Sequence, residues 1–380
     1  MTARAAPALP LISVIVPAHD VADHLGACLD SVAAQSLTDF ECLVVDDGST
    51  DGTGAVARAM AARDARFSVI AQDNRGLSAA RNAALARARG DCVAFVDGDD
   101  RVMPDFLARL HGTLVTEGVD WVACAVASVL PDGRGFVHSA RHDTPELTAS
   151  DVPRRFAVAD WSDAIAHFPS AWNKLYRRSL IDGLRFDEGT WFEDHAFFLQ
   201  AAARTDHLLW LPQALYLQTR GRPGQITGAD SDRVMEQFPV LDRAGAIMAA
   251  GPHAGAGAAL SRLACRLIHE RSVALHDPAR RARFTTAAAD WLAARGIAWT
   301  PERDAARAFG LEIAGERPLS VIVEWDGQDR AALETTLAAL PVPGVPGHEV
   351  VVVAPKGALA KDAPGGAQAK DTPGGAQTKD

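Results

Sequence analysis

Aromatic residues are scarce in this chain, at 6% of the total, and only two of them are tyrosines. Alanine is abundant, so the core is expected to be aliphatic and rich in helix. Positive charge is also short: 38 Lys and Arg stand against 48 Asp and Glu, for a net charge of −10. That balance excludes nonspecific nucleic-acid binding, which needs a basic surface, and leaves a cation as the natural means of holding an anionic ligand. No apolar run reaches the length of a membrane-spanning helix. The five cysteines (Cys28, Cys42, Cys92, Cys124 and Cys265) never form a CxxC pair. An odd count without metal-type spacing points to buried thiols in a reducing compartment. "ALPLISVIVPA" could pass for a signal-peptide core, but it passes into β-branched residues with no convincing cleavage site, so it reads as the first strand of a cytoplasmic protein.

What the sequence does contain is a regular alternation. "LISVIVPAHD", "FECLVVDDGSTDGT", "FSVI" and "CVAFVDGDD" read as short buried strands. Between them lie a helix-spaced set (Leu25, Cys28, Leu29, Val32), a helix from about Gly54 to Arg63, and "GLSAARNAALARARG", a helix closed by glycine. Strand–helix alternation implies right-handed βαβ units and a parallel sheet, whose ligands sit at the carboxyl ends of the strands. Asp20, Asp46 with Asp47, and Asp97 with Asp99 all fall there. Further on, "WVACAVASVL" reads as a strand, "AWNKLYRRSLI" as a short strand or turn, and "FEDHAFFLQAAART" as an amphipathic helix. Helix then dominates from about 232 to 312.

The acids carry the chemistry. Alternate residues leaving a strand point the same way, so Asp97 and Asp99 can converge on one ligand, with Gly98 permitting the tight backbone between them. Two carboxylates that close repel unless a cation joins them or one takes up a proton. Oxygen-only ligands suit Mg²⁺ or Mn²⁺ bridging to a substrate diphosphate. The pair Asp46–Asp47 is placed to accept hydrogen bonds from a base or a ribose, or to serve the following helix N-terminus. Asp51, Asp100 and Asp105 read as caps and solvated faces, and His195 and His207 as helix-surface residues.

"SVIVPAHDVADHLGACLDSVAAQSLTDFECLVVDDGSTDGT", "NRGLSAARNAAL" and "FVDGDD" resemble the successive signatures of the family-2 glycosyltransferases with the GT-A fold. "AWNKLYRRSLI", "FEDHAFF" and "RGRPGQIT" resemble later motifs of the bacterial cell-wall and capsule branch, of teichoic-acid type. The resemblance spans roughly residues 10 to 228. It implies an α/β GT-A (Rossmann-like) fold, with a mostly parallel sheet flanked by helices and a helical C-terminal region. It implies that Pro17, Ala18, His19, Asp20 and Asp46 or Asp47 meet the nucleotide, with Gly76 and Arg81 lying against it. Asp97, Gly98 and Asp99 match the DxD element, Asp99 for metal coordination and Asp97 nearer the ribose. Asp194 matches the general base, with Glu193 beside it. Arg220 and Arg222 match positions used against the diphosphate, and Trp172, Asn173 and Lys174 would line the acceptor cleft. His19-Asp20 replaces the usual Tyr-Asn, and Gly98 the usual serine.

The implied activity is inverting transfer of a hexosyl or N-acetylhexosaminyl group from a nucleotide-sugar donor, UDP-linked for preference, to a cell-wall, capsule or other polysaccharide acceptor, assisted by Mn²⁺ or Mg²⁺. A carboxylate takes the acceptor proton while the metal and arginines stabilise the leaving diphosphate. One rival is a nucleotidyltransferase, but "VPAHDVADHL" lacks the glycine-rich, basic phosphate loop. The other is a non-catalytic glycosyltransferase-like binding module, against which the intact acids argue. The expected organisation is an N-terminal extension (1–9), the transferase domain (10–230), a helical region (231–316), a degenerate βαβ echo of the N-terminus or partial second domain (317–356) and a low-complexity disordered tail (357–380). Self-association and peripheral contact with the inner face of a membrane stay open.

Overall fold

The structure is a computed structural model that describes residues 9–142, 152–222, 225, 230–300 and 313–314, together with the backbone of three strands beyond them. The chain divides into two compact units, Met1–Arg280 and Arg281–Asp380.

In the first unit the alternation read from the sequence becomes β1 (Ile12–Ala18), α1 (Ala22–Ala33), β2 (Phe40–Asp47), α2 (Thr53–Arg63), β3 (Phe67–Gln72), α3 (Leu77–Leu85) and β4 (Cys92–Phe95). All seven residues of β1 are buried, which is why it shows no polar alternation. Leu25, Cys28, Leu29 and Val32 form the buried stripe of α1. The α3 helix stops at Leu85, short of the glycine that ends its sequence pattern. The backbone amide of Arg89 is taken by Ser13 Oγ and Glu41 Oε1, and that of Gly90 by Ser13 Oγ, so the last turn cannot close.

The chain continues through β5 (Arg101–Val102), α4 (Phe106–Glu117), β6 (Trp121–Val129), β7 (Gly135–His138), β8 (Arg154–Ala157), α5 (Trp161–Ile165), β9 (Lys174–Arg177), α6 (Arg178–Ile181), α7 (Asp194–Ala202) and β10 (His207–Thr219). A short 3₁₀ turn (Asp232–Glu236), α8 (Gln237–Ala250), α9 (Ala256–Val273) and α10 (Pro278–Ala294) follow. The sheet has ten strands. Eight lie in the order β3-β2-β1-β4-β9-β6-β10-β5, with β7 against β6 and β8 against β10. The β3-β2-β1-β4 half is parallel throughout, β9 runs antiparallel to both of its neighbours, and β6 pairs in parallel with β10. The chain leaves β1 toward β2 on one side and returns to β4 on the other. That reversal is a topological switch point, and the crevice beyond the carboxyl ends of β1 and β4 is where such sheets bind ligands.

The two strand ends approach closely at Gly98. A Cβ there would stand 2.9 Å from Pro17 O and 3.4 Å from both Ala18 Cβ and Val21 Cγ2. Gly98→Ala is expected to lower stability by about 1–3 kcal/mol through this overpacking, read as a lower thermal unfolding midpoint.

The few aromatic residues gather behind this crevice. Phe95 packs edge-on against Tyr176, Phe186 and Phe197, and Phe186 stacks on Phe197 at 4.1 Å. Both tyrosines of the chain, Tyr176 and Tyr216, are fully buried. All five cysteines are free and buried, and burial pushes the Cys92 thiol up to about 11 and Cys124 to about 12. No helix among the described residues is long and apolar enough to cross a membrane.

In the second unit, β11 (Ser320–Glu324) and β12 (Glu349–Ala354) pair in parallel, Ser320 opposite Glu349, as Ile12 lies opposite Phe40 in β1 and β2. β13 (Gln368–Asp371) adds to β12, also in parallel. The rest of the echo and of the low-complexity tail lies outside the described residues, as do the extension's first eight residues.

Candidate active site

Three loops beyond the carboxyl ends of β1, β2 and β3 form one wall. Pro17 and Ala18 finish β1 in the buried sheet, and the exposed His19 and Asp20 follow them. Asp20 adopts a left-handed φ of 47° and accepts hydrogen bonds from the Thr50 amide (2.8 Å) and the Asp51 amide (3.4 Å). The Thr50 bond holds its carboxyl below the usual range. His19 Nε2 stands 3.0 Å from Asn74 Nδ2, so the β1 and β3 loops meet through the imidazole.

The Asp46–Asp47 pair divides its work. Asp46 Oδ1 accepts the Ser49 amide at 3.2 Å. Asp47 is buried and accepts from Gln72 Nε2 (2.7 Å), the Arg75 amide (3.0 Å) and the Gly76 amide (2.7 Å). It therefore fixes the turn into α3, which Gly76 enters with a φ of +87°.

The centre of the site is Arg81. It lies on α3 and is 1% exposed, so it does not present itself to a ligand. Its Nη1 donates to Glu193 Oε1 at 2.6 Å and to Asp194 Oδ1 at 2.8 Å, and its Nη2 to Asp97 Oδ1 at 2.9 Å. One buried cation thus ties the carboxyl end of β4 to Glu193 and to Asp194 at the start of α7, which lie 112 and 113 positions beyond Arg81 in sequence. Phe186 lies under the guanidinium, 5.1 Å from its ring centroid. The Asp97 and Asp194 side chains keep 23% and 20% exposure, against 7% for Glu193. Burial first, then the Asp194 charge, push the Glu193 carboxyl up to about 7 despite Arg81. Burial, with Asp99 and Asp194, likewise raises Asp97.

Asp99 turns the other way. Arg222 Nε donates to its Oδ2 at 2.5 Å, joined by Gln225 Nε2 at 3.4 Å. Arg220, which the sequence groups with Arg222, instead donates to Gln218 Oε1 and lies near His138. Burial and the Arg220 charge push that imidazole down to about 4.

Asp100, expected as a cap or solvated acid, is buried. Tyr216 Oη donates to its Oδ2 at 2.8 Å, and the Thr219 amide to its Oδ1 at 2.7 Å. The Tyr216 hydroxyl also accepts the Asp97 amide (3.1 Å), and Thr219 Oγ1 donates to Asp99 O (2.6 Å). The third acid of "DGDD" thus pins the whole turn to β10. Nothing in the local sequence marks Tyr216 as its partner. Only the acidic residue next to the DxD offered a signal.

The Trp172–Lys174 segment lies inside the protein. Trp172 stacks on Tyr216 at 4.5 Å. Asn173 Nδ2 donates to Cys124 O, and Lys174 Nζ donates to Phe168 O, Ser170 O and Asn173 Oδ1. Burial pushes the Lys174 amine down to about 7. With Asn173 fully buried and Lys174 1% exposed, these two hold the loop before β9 instead of reaching a ligand. His195, expected on a helix surface, is also buried, and burial pushes its imidazole down to about 3. His207 begins β10, half-buried, rather than lying on a helix.

The donor set fits a hard divalent cation. Asp97 gives one oxygen to Arg81 and Asp99 one to Arg222, which leaves each carboxylate a second oxygen outside that bond. No group of three or more His, Cys, Asp or Glu suited to a metal exists among the described residues. Two carboxylates completed by substrate phosphates are the arrangement Mg²⁺ adopts, whereas a dedicated protein cage would need more ligands.

Residues 13–185 match glycosyl transferase family 2. The uncharacterized glycosyltransferase EpsJ of Bacillus subtilis (strain 168) is 36% identical over 222 residues, covering 58% of this chain and 63% of that protein. Glycosyltransferase GlyA of Streptococcus pneumoniae serotype 4 is 32% identical over 226 residues, covering 59% and 32% respectively. The chain thus spans less than two thirds of the length of either relative. Among solved structures, residues 1–349 of S. aureus TarS in complex with UDP-GlcNAc superpose with a TM-score of 0.57 at 22% identity, over 80% of this chain and 92% of that one. The mannosyltransferase PcManGT from Pyrobaculum calidifontis, in complex with GDP-Man and Mn²⁺, gives 0.50 at 20% identity, over 81% of each chain. The sheet order, the acids at its switch point and these matches agree: residues 13–185 are a glycosyl transferase family 2 domain on a GT-A fold.

Proposed function

We propose that this protein transfers a sugar from a UDP-linked donor to a hydroxyl of a cell-wall or capsule-type glycan, with inversion at the anomeric carbon and Asp194 as general base. The observation that carries this reading is the Arg81 bridge, which sets Asp194 and Asp97 on one guanidinium at the switch point of the sheet. The UDP-GlcNAc in the TarS complex supports the choice of donor, and the Mn²⁺ in the PcManGT complex supports a divalent cation.

The division of labour follows from the geometry. Asp194 keeps one carboxylate oxygen outside its bond to Arg81 and takes the acceptor proton there as the hydroxyl attacks. Attack on the face opposite the leaving group inverts the centre. His19, Asp20 and Asp46 line the wall against which the nucleotide rests, while Asp47 and Gly76 shape the turn beside it. Asp97 and Asp99 hold the divalent cation, which when bound neutralises charge on the diphosphate. Arg222 starts on Asp99 and is placed to pass to the departing phosphate as charge develops there.

We assign transfer to residues 10–230, with 231–316 as a helical region and 317–356 as a degenerate echo of the N-terminus or a partial second domain. The five free buried cysteines favour a reducing compartment.

Calorimetric titration of UDP, with and without Mn²⁺, tests the reading. Wild type should bind more tightly with the metal, and Asp99→Ala should lose that metal-dependent gain, a change of about tenfold or more for a removed carboxylate ligand. Failure of the folded wild type to bind any uridine nucleotide with metal present would refute the UDP-sugar assignment.

A further inference from the structure

The turn that delivers Glu193 and Asp194 to α7 is held by more contacts than a connecting loop needs. Phe192 has a φ of +63°, a conformation a bulky aromatic side chain rarely takes. Such a residue persists only where its surroundings over-determine it. Here they do, and the restraints come largely from the helical segment downstream.

The Trp191 amide donates to Glu236 Oε2 at 2.5 Å. Arg233 bonds Glu236 Oε1 (2.6 Å) and the Gly189 carbonyl (3.2 Å), and its guanidinium lies 4.7 Å from the Trp191 ring centroid. Arg271, from α9, places its guanidinium 4.0 Å from the Phe192 ring centroid and bonds Gln237 Oε1 through Nε. Within α7 itself, the Phe192 carbonyl accepts from the His195 amide (3.4 Å) and stands 3.3 Å from His195 Nδ1. Restraints therefore act on the Trp191 amide, the Phe192 ring and the Phe192 carbonyl.

We propose that Glu236, Arg271 and His195 are positioning residues: the segment from 232 to 273 holds the Trp191–Phe192 turn and thereby sets where the Asp194 carboxylate stands relative to the acceptor hydroxyl. The inference rests on the reading of Asp194 as the base. Its physical basis is leverage. Asp194 lies two residues beyond Phe192, so a change of φ there swings the carboxylate, and misplacing a catalytic group by about 1 Å costs on the order of 100-fold in rate. Donor binding depends on the β1, β2 and β4 ends, which this turn meets only through the Arg81 bridge between Asp194 and Asp97.

The test uses the full chain with Glu236→Ala, Glu236→Gln and Arg271→Leu, and three measurements. These are UDP affinity with Mn²⁺, kcat and KM for hydrolysis of a UDP-sugar that wild type turns over, and hydrogen exchange at the Trp191 amide. UDP affinity and donor KM should stay within about twofold of wild type, while kcat falls about 10- to 100-fold in Glu236→Ala and Arg271→Leu. Glu236→Gln, which still offers the Trp191 amide an acceptor, should recover most of the rate, and Trp191 should exchange faster in Glu236→Ala. A normal kcat alongside faster exchange overturns the proposal, since the turn would then be structural only. So does a parallel loss of kcat and UDP affinity, which would indicate general disruption. A wild type that binds no UDP has a different signature: it removes the base assignment itself, and this inference with it.

Discussion

Arg81→Leu is expected to destabilise the fold by about 3–5 kcal/mol, the range for removing one partner of a buried ion pair. The three carboxylates on this guanidinium hold it above the usual arginine range despite its burial, so the cation is firmly charged in the folded chain. Without it, Asp97, Glu193 and Asp194 keep their burial and their mutual repulsion and lose their common counter-charge. Arg81→Lys should recover only part of the loss, because a single ammonium cannot match the planar fork that reaches three carboxylates. The pH dependence identifies the cause. Removing the cation takes away the charge that lowers Asp97 and Glu193, so both stand still further above their unfolded values, and the folded chain then binds more protons and gains stability on acidification. The deficit of Arg81→Leu should therefore shrink between pH 8 and pH 5. Glu193 already runs in this direction in wild type. Its carboxyl stands at about 7 when folded against 4.5 unfolded, so the stability it contributes is present below 4.5 and lost as pH rises through 7. Thermal unfolding midpoints of the three proteins at several pH values read both effects. A deficit independent of pH would show that lost packing over Phe186, and not charge, explains the change.

The parts of this cluster that were legible in the sequence are those that follow from strand periodicity. A buried strand that ends in acids places those acids at the carboxyl edge, and four strands alternating with helices place that edge at a ligand crevice, so Asp20, Asp46, Asp97 and Asp99 were found where expected. Periodicity fixes a face but not the partner opposite it. The family resemblance set Arg81 against the nucleotide, but periodicity makes it only a polar residue on an alanine-rich helix, and nothing nearby announces the Glu193–Asp194 pair 112 and 113 residues away. Asp100 has the same difficulty, because its partner Tyr216 lies 116 residues downstream in β10. Lys174 and His195 show a different limit. Charge in a sequence suggests solvent, yet a lysine can be buried where three oxygens surround its ammonium, and a histidine where burial keeps it neutral. The strand at Ser320–Glu324 was legible because a β-branched run needs no side-chain partner to be recognised.

Asp194→Asn is expected to lower kcat by about 10²- to 10⁴-fold, the usual worth of a positioned general base, while leaving UDP affinity near its wild-type value. Asparagine keeps the shape of the side chain and one oxygen for Arg81, so the cluster stays assembled and only proton uptake is lost. The comparison that gives this meaning is Glu193→Gln. Glu193 is 7% exposed and bonded to Arg81, which keeps its carboxylate from a sugar hydroxyl, although its carboxyl, pushed up to about 7, lies in the range suited to a general base. Asp194 shares the same guanidinium but reaches the surface with 20% of its side chain. Glu193→Gln should therefore cost far less rate than Asp194→Asn, although the two carboxylates are adjacent and contact the same nitrogen. The reverse order would move the base to Glu193 and make Asp194 the group that tunes it. Equal losses accompanied by weaker UDP binding would mean that neither carboxylate acts alone, and that the Arg81 cluster contributes to transfer by holding the carboxyl end of β4 in place.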